Sequence, residues 1–300
     1  MSLRIVRAAD PIRVDRLNIV IYGPPGLGKT SLAFTADRPL LLDFDRGAHR
    51  AHGRKDAVLV DRWEDVANIT ADDLADFQTI IMDTAGRALD VLAADIIRGN
   101  AKLGRGGALT LQGFGELKAR FISFLKLLNG FGKDVVLIAH MDEQRNGDEV
   151  IERLDVQGGS KGEIYKAADA MGRITIRNGQ RVLNFSPSDA AFGKNPGQLE
   201  ALQIPHCDRP EFAGFLASVI QQTKDRLNTL TEEQRAAQET LERWRADIAG
   251  MEDADSINAA IVDAKAAGKT VAALLHDRAT KLGLAFDKAA ARYAAPAKAA

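Results

Sequence analysis

Gly23-Pro24-Pro25-Gly26-Leu27-Gly28-Lys29-Thr30 is the stretch on which the fold turns. It has the spacing G-x-x-x-x-G-K-[ST], whose chance occurrence in a chain of 300 residues is on the order of 1% at average composition. An apolar run of strand type, 17–22, enters it, and a helical pattern, 29–36, leaves it, which is the setting a phosphate-binding loop requires. The glycines let backbone N–H groups converge on phosphate oxygens, and the helix N-terminus adds positive charge. Lys29 is placed to reach the β- and γ-phosphates, and the Thr30 hydroxyl to ligate Mg²⁺. Residues 23–30 with Ser31 therefore form the predicted site for ATP and Mg²⁺.

Three further strands supply what such a loop needs. The run 77–83 ends on Asp83, a second magnesium ligand at the carboxyl edge of the sheet. Many AAA+ ATPases carry a glutamate directly after that aspartate, whereas Thr84 stands here. The base must come from elsewhere, and the strand 39–45 ends on Asp43 and Asp45. Asp45 lies farther toward the edge and is the expected general base or water-positioning residue, with Asp43 as the alternative. The run 135–140 ends on His140, a polar group placed to sense the γ-phosphate and pass its presence to the next segment.

Continuous apolar strands alternating with helices (63–69, 87–98, 112–131, 160–171) predict an α/β fold with a mostly parallel sheet covered on both faces. The segments 173–177 and 181–185 alternate around Asn178-Gly179 and predict an antiparallel edge hairpin. The segments 99–107 and 141–159 read as loops. Pro, Gly, Ser and Asp cluster over 186–210, so the expected division is an ATP-binding core over 1–205 and a helical region over 206–300. The latter reads as helices 212–227 and 231–251, shorter ones over 254–291, and a frayed tail from 294. A net charge of −1 excludes a chain that holds nucleic acid by bulk charge. One cysteine, Cys207, excludes an internal disulfide and fits a reduced compartment. No apolar run is long enough to span a bilayer, and no apolar leader is evident. The expectation is a cytoplasmic protein without a membrane partner.

The order of these parts resembles the RecA-like recombinase core: a P-loop (Walker A), a strand ending in an acidic residue, a strand ending in Asp83, a strand ending in a polar sensor, then a loop and Gly158-Gly159 before a helix. Asp45 stands where that family carries a glutamate base, and His140 where it usually carries a glutamine. The stretches PLLLDFDRG (39–47), LTLQGFG (109–115), VVLIAH (135–140), FGKNP (192–196) and KLGLAFDK (281–288) look like those of phage-encoded RecA-like ATP-binding proteins of the single-strand annealing type. The resemblance covers 15–200 well and the helical region loosely.

It implies a DNA-stimulated, Mg²⁺-dependent ATPase acting on single-stranded DNA in DNA recombination, in the cytoplasm of a bacterial host. It also implies a homo-oligomer, filament or ring, and a single-strand DNA-binding protein as a further partner. Family loops after the Asp83 and sensor strands contact single-stranded DNA. Here these would present Arg98, Lys102 and Arg105, and Arg145 and Arg153, with phosphate-led contacts. Lys161 and Lys166 would reach a neighbouring subunit's nucleotide. Two other readings stand beside this one: an AAA+-type remodelling or loading ATPase acting on a protein partner, and a nucleotide-binding regulator with little turnover.

Overall fold

The computed structural model describes residues 5–7, 10, 12–146, 149–156, 160–188, 190–288 and 290–295. The chain divides into two compact units, 14–228 and 1–13 with 229–300.

The larger unit is an α/β core. In chain order it contains β1 (Asn18–Gly23), α1 (Lys29–Ala33), β2 (Pro39–Asp43), β3 (Ala57–Leu59), α2 (Glu64–Ala67), β4 (Thr79–Asp83) and α3 (Ala85–Gly99). There follow β5 (Gly104–Arg105), β6 (Ala108–Leu109), α4 (Leu111–Gly130), β7 (Asp134–Asn146), β8 (Glu149–Leu154), α5 (Ser160–Ala167), β9 (Ala170–Arg177), β10 (Gln180–Asn184) and β11 (Leu202–Gln203). The main sheet runs β11-β10-β9-β1-β7-β4-β2-β3. The strands from β9 to β3 pair in parallel, and β10 and β11 add antiparallel pairs. The mostly parallel α/β class is as the sequence predicts. The hairpin around Asn178-Gly179 is also present, with β11 outside it as the last strand.

Alternation along the strands supplies both faces of the core. Val20, Tyr22, Ile80, Met82, Val135 and Leu137 pack on one face with Leu92 of α3 and Phe121 and Leu125 of α4. Ile19, Ile21, Leu41, Ile81, Val136 and Ile138 pack on the other with Leu32 of α1. That second face is completed by Phe212, Leu216, Val219 and Ile220. Residues 206–228, read from sequence as part of the helical region, therefore sit in the core unit, because their apolar side chains cover a sheet face. Truncating a residue such as Phe121, 1% exposed, to alanine costs about 3–5 kcal/mol.

Three local expectations are corrected. First, 141–159 is not a loop throughout: β7 runs on past its parallel partners and pairs antiparallel with β8, Met141 opposite Leu154 and Asn146 opposite Glu149. Second, 99–107 is a 3₁₀ turn, Ala101–Leu103, leading into the small β5–β6 hairpin, with Gly106 and Gly107 both at positive φ. Third, Ala170 and Met171 belong to β9 rather than to the preceding helix.

The helix α6 (Phe215–Ala249) is continuous, where the sequence predicts two. Asn228 and Thr229 have modest helix propensity but neither breaks a helix as Gly or Pro would. The second unit holds the later turns of α6, α7 (Ala254–Ala259), α8 (Ile261–Ala266), α9 (Lys269–Lys281) and a hairpin of β12 (Ala285–Asp287) and β13 (Arg292–Ala294). The hairpin corrects the all-helical expectation there. Its core is Ile248, Ile257, Ala264, Val271, Leu275, Ala279 and Tyr293. Asp253 and Ser256 form a reciprocal cap at the start of α7, and Asn258 exchanges hydrogen bonds with the Tyr293 backbone at 2.9 and 2.7 Å. No helix among the described residues is long and apolar enough to cross a membrane.

Candidate nucleotide site

The register of the sheet assembles the site. β7 lies between β1 and β4, pairing Gly23 with His140 and Asp83 with Ile138, while β2 pairs Asp43 with Asp83. The carboxyl ends of four strands thus open into one cleft of about 490 Å³, lined among others by Gly28, Lys29, Thr30, Asp45, Asp83 and His140. Residues singled out from scattered sequence positions, Lys29, Thr30, Asp45, Asp83 and His140 among them, meet there.

The loop itself is shaped by glycine. Gly26 and Gly28 sit at φ of 79° and 75°, a region that L side chains rarely adopt. At Gly23, an added Cβ would come within 2.7 Å of the Ile174 carbonyl oxygen. Lys29 is 5% exposed and its Nζ donates to the carbonyls of Gly23 and Pro24 at 2.9 and 2.8 Å. Burial lowers the Lys29 pKa, opposed by the nearby charges of Asp83 and Asp45.

Thr30 Oγ1 donates to Asp83 Oδ2 at 2.6 Å. This brings together two hard oxygen groups, the donor set that Mg²⁺ prefers. Asp83 is 5% exposed, and burial pushes its carboxyl above the usual range; the Thr30 hydrogen bond opposes this, while Asp45 and Asp43 reinforce it. A cation beside Asp83 would favour its charged form. The residues present therefore fit a triphosphate with Mg²⁺, with Lys29 and the loop amides for phosphate and Thr30 with Asp83 for the metal.

The two aspartates of the β2 end divide their work. Asp43, 1% exposed, accepts from the backbone N–H of Gly47 and Ala48 at 3.0 and 2.9 Å. It shapes the turn after β2, with each carboxylate oxygen already accepting one bond. Asp45 lines the cleft instead. His140 Nε2 lies 3.7 Å from Asp45 Oδ2, just beyond hydrogen-bond distance. Arg87 Nε lies 3.4 Å from Asp45 Oδ1. The His140 imidazole, then Arg87 and Arg50, hold the Asp45 carboxyl below the usual range against the opposing effect of burial. His140 Nδ1 is buried and has no hydrogen-bond partner among the described residues. The His140 carbonyl accepts from Asp155 N–H at 2.9 Å, tying the site to the segment just after β8.

Three arginines near the site escape motif reading. Arg50 lines the cleft, Arg87 projects from the start of α3, and Arg181 of β10 donates to the Leu27 carbonyl at 3.2 Å from behind the loop. Nothing in the neighbouring sequence marks any of them, and only the folded chain brings each near.

The cations read as contacts to DNA, or to a neighbouring subunit's nucleotide, are not all equally available. Arg98 is paired with Glu64 and Asp95 at 3.4 and 3.6 Å. Lys102 and Arg105 are exposed on the 3₁₀ turn and the β5–β6 hairpin. Arg153 lies over the Phe192 ring, 4.5 Å from its centroid. Lys166 pairs with Glu163 at 3.2 Å. The side chains of Arg145 and Lys161, and the Gly158-Gly159 pair, lie outside the described residues.

A family model described as an AAA domain matches residues 15–196. No curated protein matches the chain. Among solved structures, an ATPase from the type III secretion system of pathogenic bacteria is 14% identical, with 53% of this chain and 51% of that one covered and a TM-score of 0.37. The RadB recombinase is 14% identical, with 56% and 79% covered and a TM-score of 0.33. The chain spans about half the length of the secretion ATPase.

Proposed function

The chain belongs to the AAA-domain family, matched over 15–196, and from that premise we propose a Mg²⁺-dependent ATPase whose turnover is coupled to single-stranded DNA, in annealing or strand pairing. The observation that carries the ATPase reading is the meeting of Lys29, Thr30, Asp83, Asp45 and His140 in one cleft. Loop amides and Lys29 hold the phosphates; Thr30 and Asp83 hold the metal. Bound Mg²⁺ neutralises charge on the phosphate oxygens and orients them. Asp45 is the residue that positions and accepts a proton from the attacking water. His140, in contact with Asp45 and continuous with β7, carries the state of the site toward the β7–β8 hairpin.

The DNA side of the proposal is supported by Lys102 and Arg105 standing exposed beside Gly106 and Gly107. Cations near glycines let a phosphate backbone approach closely. With an overall charge of −1, useful affinity would come from repetition along a homo-oligomer. The test is ATP turnover by the wild type and by Lys29→Ala, with and without a single-stranded oligonucleotide, together with oligonucleotide binding across a salt series. Expected are turnover above the Lys29→Ala background, stimulation by DNA, and binding that falls steeply with salt. Turnover without any single-strand binding at low salt with ATP present would remove the DNA half and keep the ATPase half.

A second reading, remodelling of a protein partner, is favoured by the AAA description of the family. A closed ring that forms and turns over ATP independently of DNA would select it.

A further inference from the structure

We propose that His52, Cys207 and Asp208 form a binding site for a divalent transition metal of the zinc class. A ring nitrogen of His52, the Cys207 sulfur and a carboxylate oxygen of Asp208 all lie within 4.8 Å of one another. They come from segments more than 150 positions apart, 52 and 207–208, and Cys207 is the chain's only cysteine.

The geometry is close to what a metal requires. Tetrahedral ligands at zinc distances stand about 3.3–3.8 Å apart. Asp208 Oδ1 is 3.8 Å from Cys207 Sγ. The group has to close by roughly 1 Å at its widest to hold an ion at zinc distances. Small side-chain rotations supply that, because His52 and Asp208 are exposed and Cys207 is half-buried. The fourth position is open to water, with His206 as a neighbour: its Nδ1 lies 3.1 Å from Asp208 Oδ2 and 3.9 Å from Cys207 Sγ. Ligating carboxylates are themselves held by outer partners, and His206 stands in that place beside Asp208.

His52 is also fixed independently of the other two ligands. Its backbone N–H donates to Ser31 Oγ at 2.9 Å, and its ring meets the edge of Phe212 at 6.4 Å between centroids. His52 and Cys207 border a separate cavity of about 610 Å³, lined by neither Lys29 nor Asp83, which gives an ion an entry path.

The donor set states the metal class. Sulfur and imidazole select zinc and its neighbours over Mg²⁺, which takes oxygen donors. On binding, the Cys207 thiol gives its proton to solvent and the thiolate bonds the metal. Occupancy would fasten the segment carrying His52, and through Ser31 the helix that follows the P-loop, to residues 207–208.

The test is a Co²⁺ titration of the full-length protein, kept reduced with a phosphine, without nucleotide and with excess Mg²⁺ to occupy oxygen sites. Wild type should show a saturable near-ultraviolet thiolate-to-cobalt band, with tetrahedral bands in the visible, at one equivalent, and Zn²⁺ should displace it. Cys207→Ser should abolish the near-ultraviolet band. His52→Ala and Asp208→Asn should weaken binding by about 10-fold or more, with far-ultraviolet circular dichroism confirming that each variant is folded. Zn²⁺ should raise the Tm of wild type and leave that of Cys207→Ser unchanged. Absence of the thiolate band in wild type, or a band of equal affinity in His52→Ala, would overturn the site.

Discussion

Two buried aspartates stand at opposite ends of the same parallel sheet. Asp83 closes β4 at its carboxyl end; Asp134 opens β7 at its amino end. They are 5% and 3% exposed, and burial raises the pKa of both. Their partners differ. Asp134 accepts from Lys224 Nζ at 2.7 Å and from the Leu17 N–H at 2.8 Å, so charge and lone pairs are met inside the protein. The Asp83 carboxylate accepts only from the Thr30 hydroxyl among the hydrogen bonds described, and Lys29, the nearby cation, is turned to the loop carbonyls. One end of the sheet is finished by folding alone. The other is left short of positive charge, which is the condition for binding a cation and a phosphate there.

Replacing either residue tests that contrast. The largest effect is expected at the unfinished end: Asp83→Asn should lower kcat by about 1,000-fold, measured as phosphate release at saturating Mg²⁺ and ATP. Asp45→Asn should follow, at about 100-fold in kcat with a smaller change in KM, because it removes a proton acceptor rather than a binding group. At the finished end, Lys224→Met should cost about 3–5 kcal/mol in denaturant unfolding, since it strands a buried carboxylate, while the folded fraction keeps its turnover per molecule. If Lys224→Met lowers turnover as strongly as Asp45→Asn, the two ends are not independent and the contrast fails. His140→Gln should leave basal hydrolysis within a few fold and reduce its stimulation by single-stranded DNA by about 5-fold or more.

The smallest effect is the most specific. Because the folded Asp83 carboxyl holds its proton above the ordinary value of 3.8, its contribution to stability is present at low pH and lost as pH rises through that raised value. Asp83→Asn should therefore raise the Tm of the nucleotide-free, chelator-treated protein at pH 7, by about 2–4 °C for a gain near 1 kcal/mol. The gain should fade toward pH 4. A Tm gain that is flat with pH would show that the carboxylate is satisfied after all.

The part of the site that the sequence reveals is the part carried by contiguous residues. Gly23 to Thr30 is a fixed pattern, and an aspartate after an apolar run, as at Asp83, is visible wherever strands are. The choice of Asp45 over Asp43 rests on its place farther toward the carboxyl edge, and Asp45 lines the cleft, but the reason Asp43 is unavailable, two amides four and five residues on, needs the turn to be built. Arg50, Arg87 and Arg181 were invisible because nothing local distinguishes a cation that meets a loop from one that meets water. The β7–β8 hairpin was missed for another reason. Charged residues crowd both strands, Asp142, Glu143 and Arg145 on one and Glu149, Glu152 and Arg153 on the other, and leave no apolar alternation to read. In α6, the absence of a breaker was the better guide than the change in composition.

Trp63 packs against Phe44 at 6.4 Å and Phe124 at 5.0 Å between ring centroids, and Phe44 is the residue between the two aspartates of the β2 end. The other tryptophan, Trp244, packs in the smaller unit. Each unit thus carries its own indole emitter. Excited at the tryptophan band, Trp244→Phe would radiate from the core alone, one side chain removed from Asp45, and its emission spectrum would report nucleotide binding in the cleft without any added dye.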